Sequence, residues 1–428
     1  MTDRHDPREP IQTYEIGHPP SAAATPSSAS TEPRPSTVVA LTTGHFMVDF
    51  FTNLLTPLLP LIYADLGFTL TAGAAIASAS SFAAYLLQPV FGLYIDRVAG
   101  GGLLIPSVLW TAVFAAAIGL TRNYWAILIL ATLAGLGDAL YHPLGSVTLG
   151  GLTTRRRGWL MSLYSAGGSV GFAVAPMIAI PLVAKYGLIS FVWMLPLGFA
   201  GAFLMHGIGV AKVRAKPVDS ARPGPAGLWR SMRPNLRSLA MMNLIVTLRA
   251  WGMYAITFLV PLYYLEHGYS RAMTSIPLTM FLLVGTVGGM AGGYLSDRFG
   301  RRPTIIVSSL LSAILFFALR RLGAGYLSWA ALAVIGAVFQ AALPAAIVFA
   351  QELFPENAGM ASGIVMGLAW GFGAIGLSLT GWVSEHAGLT LAMDTTPVIL
   401  LVAGALCVFL PRDKRGDSGV GPLWRTRR

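Results

Sequence analysis

Long apolar segments separated by short polar loops follow one another along most of the chain. A helix that crosses a bilayer needs about 20 mostly apolar residues, and twelve segments reach that length. The pattern therefore predicts an all-α membrane protein with twelve transmembrane helices. The predicted spans are residues 38–63, 72–95, 102–120, 124–149, 159–184, 188–210, 239–265, 272–295, 303–320, 326–350, 359–384 and 391–410.

The longest polar stretch between two spans, residues 211–238, is rich in proline and basic residues and divides six spans from six. Residues 1–36 are rich in Pro, Ser, Ala and Thr and contain no apolar run, so we expect a disordered tail and no signal peptide. The sequence therefore predicts five parts in chain order. They are a tail at 1–36, an N-terminal six-helix bundle at 37–211, a linker at 212–238, a C-terminal six-helix bundle at 239–410 and a basic tail at 411–428.

One polar motif, Gly-x-x-x-Asp-Arg, occurs twice, each time at the end of a predicted span. The first copy runs from Gly92 to Arg97, and the second runs from Gly293 to Arg298. Six spans separate the copies, which places both on one side of the membrane. Parallel repeats related by an axis along the membrane normal have this arrangement. The sequence therefore predicts that a six-helix unit is present twice.

Composition supports a polytopic membrane protein. Of the residues, 55% are hydrophobic and 11% are charged, and the mean hydropathy is +0.66; soluble domains carry about 25% charged residues. Cys407 is the one cysteine, so we expect neither an internal disulfide nor a cysteine-based metal site.

The distribution of basic residues predicts the orientation. Most of the 29 Lys and Arg residues lie on the side that holds both termini and the linker, and an excess of Lys and Arg marks cytoplasmic loops. We therefore expect cytoplasmic tails and a cytoplasmic linker on a protein of the cell (inner or plasma) membrane. Arg320 and Arg321, on the other side, run against the rule. The net charge of +11 is therefore explained by basic loops that orient the protein in the membrane. We expect no basic soluble surface that could bind nucleic acid.

The two Asp-Arg turns resemble the loop signature of the major facilitator superfamily of secondary transporters. The chain is also similar to the fosmidomycin resistance group of efflux transporters. Leu144 is a departure, because that group has an acidic residue there. The resemblance implies two pseudo-symmetric six-helix bundles, a cavity that opens alternately to each side, and drug export driven by proton entry. The matching stretches are Gly44–Asp49, Leu87–Gly92, Tyr141–Pro143, Ala350–Pro355 and Gly359–Gly363.

The same resemblance implies that the Asp-Arg turns are latches that hold the cytoplasmic side closed. A carboxylate at a span end can accept hydrogen bonds from nearby arginines and from helix N-termini. Glu352, after span ten, is expected to pair with Arg298 or Arg301. The candidate gating residues are Asp96, Arg97, Asp297, Arg298, Arg301 and Glu352.

Two His/Asp pairs lie inside spans. His45 and Asp49 are four residues apart in span one, and Asp138 and His142 repeat that spacing in span four, so each pair shares a helix face. An ionisable group in a span costs at least a few kcal/mol unless it faces a cavity or a partner. Because both spans line the cavity in the superfamily, the four residues are candidates for a proton relay. Hydrogen-bonded pairs that serve structure alone are the alternative.

Arg249 lies well inside span seven, and its guanidinium stays protonated. We expect it to pair with a carboxylate, either Asp49 or Asp138 across the cavity or that of an anionic substrate. The fosmidomycin resistance group has Lys here, and Arg suits bidentate binding of phosphonate-like anions. Asn53, Gln88 and Gln340 would bond the substrate or join helices. The candidate substrate-binding residues are Arg249, Tyr254, Trp370, Gln88, Gln340 and Asn53.

No motif for ATP hydrolysis or metalloprotease chemistry is found, so we expect no enzyme, no cofactor and no metal. The sequence favours a monomeric, proton-coupled exporter of a small anionic or amphiphilic compound. A proton-coupled importer of an organic anion is the alternative, because the same fold and residues allow it. A transporter-like sensor would need an ordered soluble extension, which residues 1–36 do not suggest.

Overall fold

The computed structural model describes residues 34–88, 91, 101–152, 157–213, 233–354 and 358–411. Every regular element in these ranges is a helix, as the apolar pattern predicts. Of the candidate site residues, Asp96 and Arg97 lie outside the described ranges, as does most of the predicted tails and linker.

The helices form an N-terminal set and a C-terminal set. The N-terminal set comprises α1 (Pro35–Thr52), α2 (Leu59–Ile62), α3 (Leu70–Leu86), α4 (Leu104–Ala117), α5 (Tyr124–Leu152), α6 (Arg157–Tyr186) and α7 (Ser190–Ile208). The C-terminal set comprises α8 (Leu236–Glu266), α9 (Ser275–Phe299), α10 (Arg301–Arg321), α11 (Tyr326–Gln340), α12 (Ala342–Leu353), α13 (Ala358–Gly363), α14 (Ala369–Ala387) and α15 (Leu389–Leu406).

Within the described ranges, ten helical segments are long and apolar enough to cross a membrane. They coincide with predicted spans three to twelve. Span eleven is not uniformly α-helical, because a π-helical turn at Ile364–Leu368 separates α13 from α14. The side-chain amide of Asn243 in α8 donates to the carbonyl of Ile364 at 2.9 Å.

The prediction of one continuous helix for span one is wrong. The segment is split into α1 and α2 by turns at residues 53–58. Pro57 explains the break, because proline has no N–H to donate and its ring clashes with the carbonyl four residues earlier. In span two, α3 begins after Thr69, whose hydroxyl accepts the backbone N–H of Ala72 at 3.1 Å. The last residues of that predicted span lie outside the described ranges.

Among the described residues, two helix pairs form the most extensive contacts between the sets. Helix α3 of span two packs along α14 of span eleven, and α6 of span five packs along α9 of span eight. Exchanging the two six-span units converts spans two and eleven into spans eight and five. The two contacts are therefore equivalent under the repeat that the Asp-Arg turns predict.

Glycines in α6 allow a close approach to α1. A Cβ atom at Gly171 would lie 2.3 Å from the carbonyl oxygen of Phe46. At Gly168, a Cβ would lie 2.3 Å from Oδ2 of Asp49 and 2.5 Å from Nε2 of His45. Any larger residue would push α6 away from α1, so small residues here set the helix spacing.

Candidate functional site

The structure brings His45, Asp49, Asp138 and His142 together between α1 and α5. Nε2 of His142 lies 3.2 Å from Oδ1 of Asp49 and 3.2 Å from Oδ1 of Asp138. Nε2 of His45 lies 3.5 Å from Oδ2 of Asp49. We call these four residues the His/Asp cluster. One imidazole therefore stands between carboxylates from two different helices.

Aromatic residues enclose the His/Asp cluster. Nδ1 of His45 is 2.8 Å from the backbone carbonyl of Tyr164, and the two rings stack at 4.2 Å between centroids. The hydroxyl of Tyr141 donates to the carbonyl of Leu41 at 2.6 Å. The side chain of Asp138 is 2% exposed and that of His142 is 19% exposed. The cluster is thus held inside the N-terminal set, with His142 on its more accessible side.

Arg249 is buried in α8, but its partners differ from those expected. Its guanidinium donates to Oγ of Ser309 at 2.6 Å, to Oγ of Ser308 at 3.3 Å and to the carbonyl of Phe339. It also stacks on the Phe339 ring at 4.6 Å. The expected ion pair with Asp49 or Asp138 is absent among the described residues. The guanidinium donates instead to two neutral serine hydroxyls and one backbone carbonyl.

A narrow recess adjoins Arg249 and includes Gln340 and Trp370 in its lining. Its volume is about 20 Å³, close to the room that one water molecule needs. A larger cavity of about 350 Å³ lies against α14 and α15 and contains none of the predicted site residues. In this conformation, the recess is therefore too small for a drug-sized compound.

Three aromatic rings connect the His/Asp cluster to the recess. The Tyr85 ring of α3 stacks at 6.5 Å on His142 and at 5.5 Å on Trp370. Tyr254 of α8 meets Trp370 edge-on at 5.9 Å. Within the described structure, the indole N–H of Trp370 is buried without a hydrogen-bond partner. Both predicted aromatics therefore lie where the two sets meet, and Trp370 has a free donor there.

The two remaining amide candidates bond to the backbone. Nδ2 of Asn53 donates to the carbonyl of Phe172 at 2.8 Å, which joins the end of α1 to α6. Nε2 of Gln88 donates to the carbonyl of Ala84 at 3.1 Å, within its own turn. Neither residue lines the recess at Arg249.

The second Asp-Arg turn forms a network centred on Arg301. Its guanidinium pairs with Asp297 in the last turn of α9, lies 3.2 Å from Oε1 of Glu352 in α12, and donates to Oγ of Ser296 at 2.8 Å. Arg298 instead stacks on Phe299 at 5.3 Å. Among the described residues, the partners of Arg301 all belong to the C-terminal set, so this part of the network does not join the two sets.

Polar contacts join the two sets at the opposite end of the molecule, which we call the closed end. Arg271 at the start of span eight forms an ion pair with Asp65, with 3.1 Å between Nη2 and Oδ1. Oε2 of Glu385 accepts the backbone N–H of Thr71 at 2.9 Å. Farther from this end, midway along α3 and α14, the hydroxyl of Ser378 donates to that of Ser78 at 2.8 Å. None of these contacts was predicted from the sequence.

Arg320, one of the two arginines that run against the orientation rule, also has a partner. Arg320 forms an ion pair with Asp394 at the start of α15. This contact lies within the C-terminal set. It could not be predicted from the sequence, because the two residues lie in helices that are far apart along the chain.

Two equivalent helix contacts join the sets, one set encloses the His/Asp cluster, and the other buries the guanidinium of Arg249. Together these features indicate the two-bundle class of secondary transporters. A family model described as Major Facilitator Superfamily matches residues 41–278 and 242–428. The chain belongs to that superfamily, and its fold class is the predicted one.

Similar proteins agree with this membership. An uncharacterised MFS-type transporter, YfnC of Bacillus subtilis (strain 168), is 29% identical over 408 residues, 92% of this chain and 98% of the relative. The fosmidomycin resistance protein of Escherichia coli (strain K12) is 25% identical over 403 residues, 93% and 98% of the two chains. A bacterial homologue of the human lysosomal transporter Spinster, solved in an inward-facing and unoccupied conformation, has a TM-score of 0.75 at 15% identity. It covers 87% of this chain and 96% of its own.

Proposed function

We propose that the chain is a proton-coupled transporter that exports a small anionic or amphiphilic compound by alternating access. The observation that carries the proposal is the position of His142 Nε2, 3.2 Å from carboxylates of both α1 and α5. The aromatic rings then link this group to the recess at Arg249.

The His/Asp cluster is suited to taking up and passing on a proton. Nε2 of His142 carries at most one hydrogen, so at any moment it serves either Asp49 or Asp138. The two carboxylates belong to different helices, and a small movement of α1 against α5 changes which of them is favoured. Histidine is the side chain whose charge changes most readily near neutral pH. The cluster therefore couples proton occupancy to helix position.

Arg249 is suited to an anionic group. Its fork of donors now contacts two serine hydroxyls and a carbonyl, and a carboxylate or phosphonate would replace these neutral acceptors with charge-assisted bonds. Trp370 supplies a further unpaired donor, its indole N–H, within the described structure. The recess must widen to admit the compound, because its present volume is about 20 Å³.

The contacts at the closed end support a state that is shut on one side. If both termini are cytoplasmic, as we propose, this end faces out of the cell and the compound is loaded from the cytoplasm. Opening of the closed end then requires Asp65 to leave Arg271 and Glu385 to leave Thr71.

Transport by purified protein in liposomes tests the proposal, with fosmidomycin as the first probe because of the named relative. A pH gradient is expected to drive fosmidomycin against its own gradient, in exchange for protons. Arg249→Ala is expected to abolish this transport, and Arg249→Lys to retain part of it because the charge remains. The matched control, Arg237→Ala, removes an exposed arginine from the first turn of the same helix and is expected to transport normally.

A second variant separates coupling from substrate binding. His142→Gln is expected to lose uphill transport but to keep exchange of labelled for unlabelled compound, because exchange needs no net proton movement. Normal uphill transport by Arg249→Ala or by His142→Gln would contradict the proposal. Accumulation of the compound together with protons would instead favour the importer. A susceptibility screen of a deletion strain against phosphonates and other antibacterials would give the substrate class.

A further inference from the structure

We propose that the His/Asp cluster binds one divalent transition-metal cation, with Zn²⁺ as its best-fitting occupant. The inference concerns the same cluster as the proposed function, but it rests on the placement of donor atoms and not on transport. It also departs from the sequence-based expectation that the protein has no metal site.

The spacing of the donor atoms is compatible with a metal site. Zinc binds nitrogen and carboxylate oxygen at about 2.0–2.2 Å, so neighbouring donors of a tetrahedral site lie about 3.3 Å apart. The distances from the imidazole nitrogens to the carboxylate oxygens are 3.2, 3.2 and 3.5 Å. Charge-assisted N–H···O bonds are shorter, at about 2.7–2.9 Å. One donor atom each from His45, Asp49 and His142 lie within 4.8 Å of one another. Asp138 lies outside this group of three and adjoins it through His142.

The groups around the cluster orient its donors. With its hydrogen on Nδ1, the imidazole of His45 donates to the carbonyl of Tyr164 at 2.8 Å and turns the lone pair of Nε2 toward Asp49. Metal-binding histidines almost always make such a bond through their other nitrogen. Oδ1 of Asp138 is buried and lies 3.2 Å from Nε2 of His142, which lies at the same distance from Asp49. Because one imidazole hydrogen serves only one of the two carboxylates, Oδ1 of Asp138 is a buried acceptor that a cation would satisfy whenever His142 donates to Asp49.

Charge and donor type select the class of cation. Two carboxylates and two neutral imidazoles carry a charge of about −2, which a divalent cation neutralises inside the membrane, where uncompensated charge is costly. A mixed nitrogen and oxygen donor set suits zinc and its neighbours in the first transition row. Magnesium and calcium prefer oxygen donors alone, so they are expected to bind poorly.

Equilibrium dialysis of the full-length protein in detergent tests the inference. The protein is purified on a tag without histidine, stripped of metal and dialysed against graded Zn²⁺, and bound metal is then determined. We expect one Zn²⁺ per chain, undisturbed by excess Mg²⁺. His45→Gln and Asp138→Asn are each expected to weaken binding at least ~10-fold, since even the loss of an outer partner costs about 10–100-fold. His386→Gln is the matched control, because His386 lies at the exposed end of α14 and bonds only to the carbonyl of Trp382 at 3.0 Å.

A series of thermal-unfolding measurements identifies any variant that is misfolded. Zn²⁺ is expected to raise the unfolding midpoint of the wild type and of His386→Gln, because a ligand of the native state stabilises it, and to leave that of His45→Gln unchanged. The inference is overturned if the wild type shows no saturable Zn²⁺ site, or if the two cluster variants bind Zn²⁺ as His386→Gln does. Proton-driven transport measured without Zn²⁺ is a separate readout, so failure of the metal site and failure of the proposed function are distinguishable.

Discussion

The ion pair between Asp65 and Arg271 joins the two helix sets at the closed end, so its removal is expected to favour opening of that end. Asp65→Asn removes the charge and keeps the shape of the side chain. The second contact, from Glu385 to the backbone of Thr71, is weakened in the same way by Glu385→Gln. Both substitutions leave the His/Asp cluster and Arg249 intact.

The expected size of this shift toward opening follows from the solvent exposure of the two side chains. The side chains of Arg271 and Asp65 are 39% and 52% exposed, so solvent screens the pair and its contribution is about 0.2–1 kcal/mol. A carboxylate at the N-terminus of a helix such as α3 contributes about 0.3–1 kcal/mol. If the two contacts are additive, the double variant shifts the ratio of open to closed molecules by a factor of about 2–30.

Distances between spin labels measure this shift directly. Cys407 is buried and is the one cysteine of the chain, so a Cys407→Ser background carries no other thiol. Cysteines at Ala64 and Ala387, both exposed, place one label on each helix set at the closed end. The longer distance is expected to gain population in Asp65→Asn, and more so in the double variant.

Asp394→Asn is the matched control. It removes an ion pair to Arg320 that lies within the C-terminal set, so it changes charge without weakening the contact between the sets. The reasoning is refuted if Asp394→Asn opens the closed end as much as Asp65→Asn does, or if the double variant keeps the wild-type distance distribution.

Three further predictions concern pH, packing and the Arg301 network. A hydrogen bond from Arg271 holds the pKa of Asp65 below its ordinary value of 3.8; the pair is therefore complete above that value and lost as pH falls through the lowered pKa. Label distances should not change between pH 5 and 8, and any change there would mean that another group controls the closed end. Gly171→Ala should lower the free energy of unfolding by about 1–3 kcal/mol because its Cβ meets a backbone carbonyl, whereas Gly363→Ala, with open space around it, should be neutral or stabilising by up to about 1 kcal/mol; equal unfolding midpoints in detergent would count against this account. Glu352→Gln should cost less than about 1 kcal/mol, since Arg301 keeps its other partners, and a collapse of the fold in a denaturation series would show that the network matters more than its exposure implies.

The span pattern could be predicted because membrane thickness fixes helix length. Spans three to twelve agree with the helices that the structure describes. The prediction of one helix for span one was wrong because apolar length does not register Pro57, which interrupts the backbone hydrogen bonds of a helix. The π-helical turn at Ile364–Leu368 carries no comparable signal in the residues themselves.

The candidate site was predicted in part. Spacing of four residues correctly indicated that each His/Asp pair shares a face, but helices that are apolar all round do not reveal which faces meet. For Arg249 the expectation assumed that only a carboxylate can satisfy a buried guanidinium. Ser308, Ser309 and the carbonyl of Phe339 do so instead. The Asp65–Arg271 pair was invisible because its partners are far apart in the chain and lie at the ends of different spans.

The length of α8 suggests a way to inhibit transport. Its 31 residues extend about 46 Å, whereas the hydrocarbon core is about 30 Å thick. A tilt of about 50° would be needed to hold all of it within that core, beyond the usual range of about 0–40°, so the ends of the helix must lie among the headgroups or beyond them. The same helix carries Arg249 and Tyr254, and 78% of its most apolar 18-residue stretch is buried, against 33–50% in the other nine segments. A ligand that binds an end of α8 would therefore restrain the helix that carries the candidate binding residues, and we expect it to inhibit the protein without competing for its cargo.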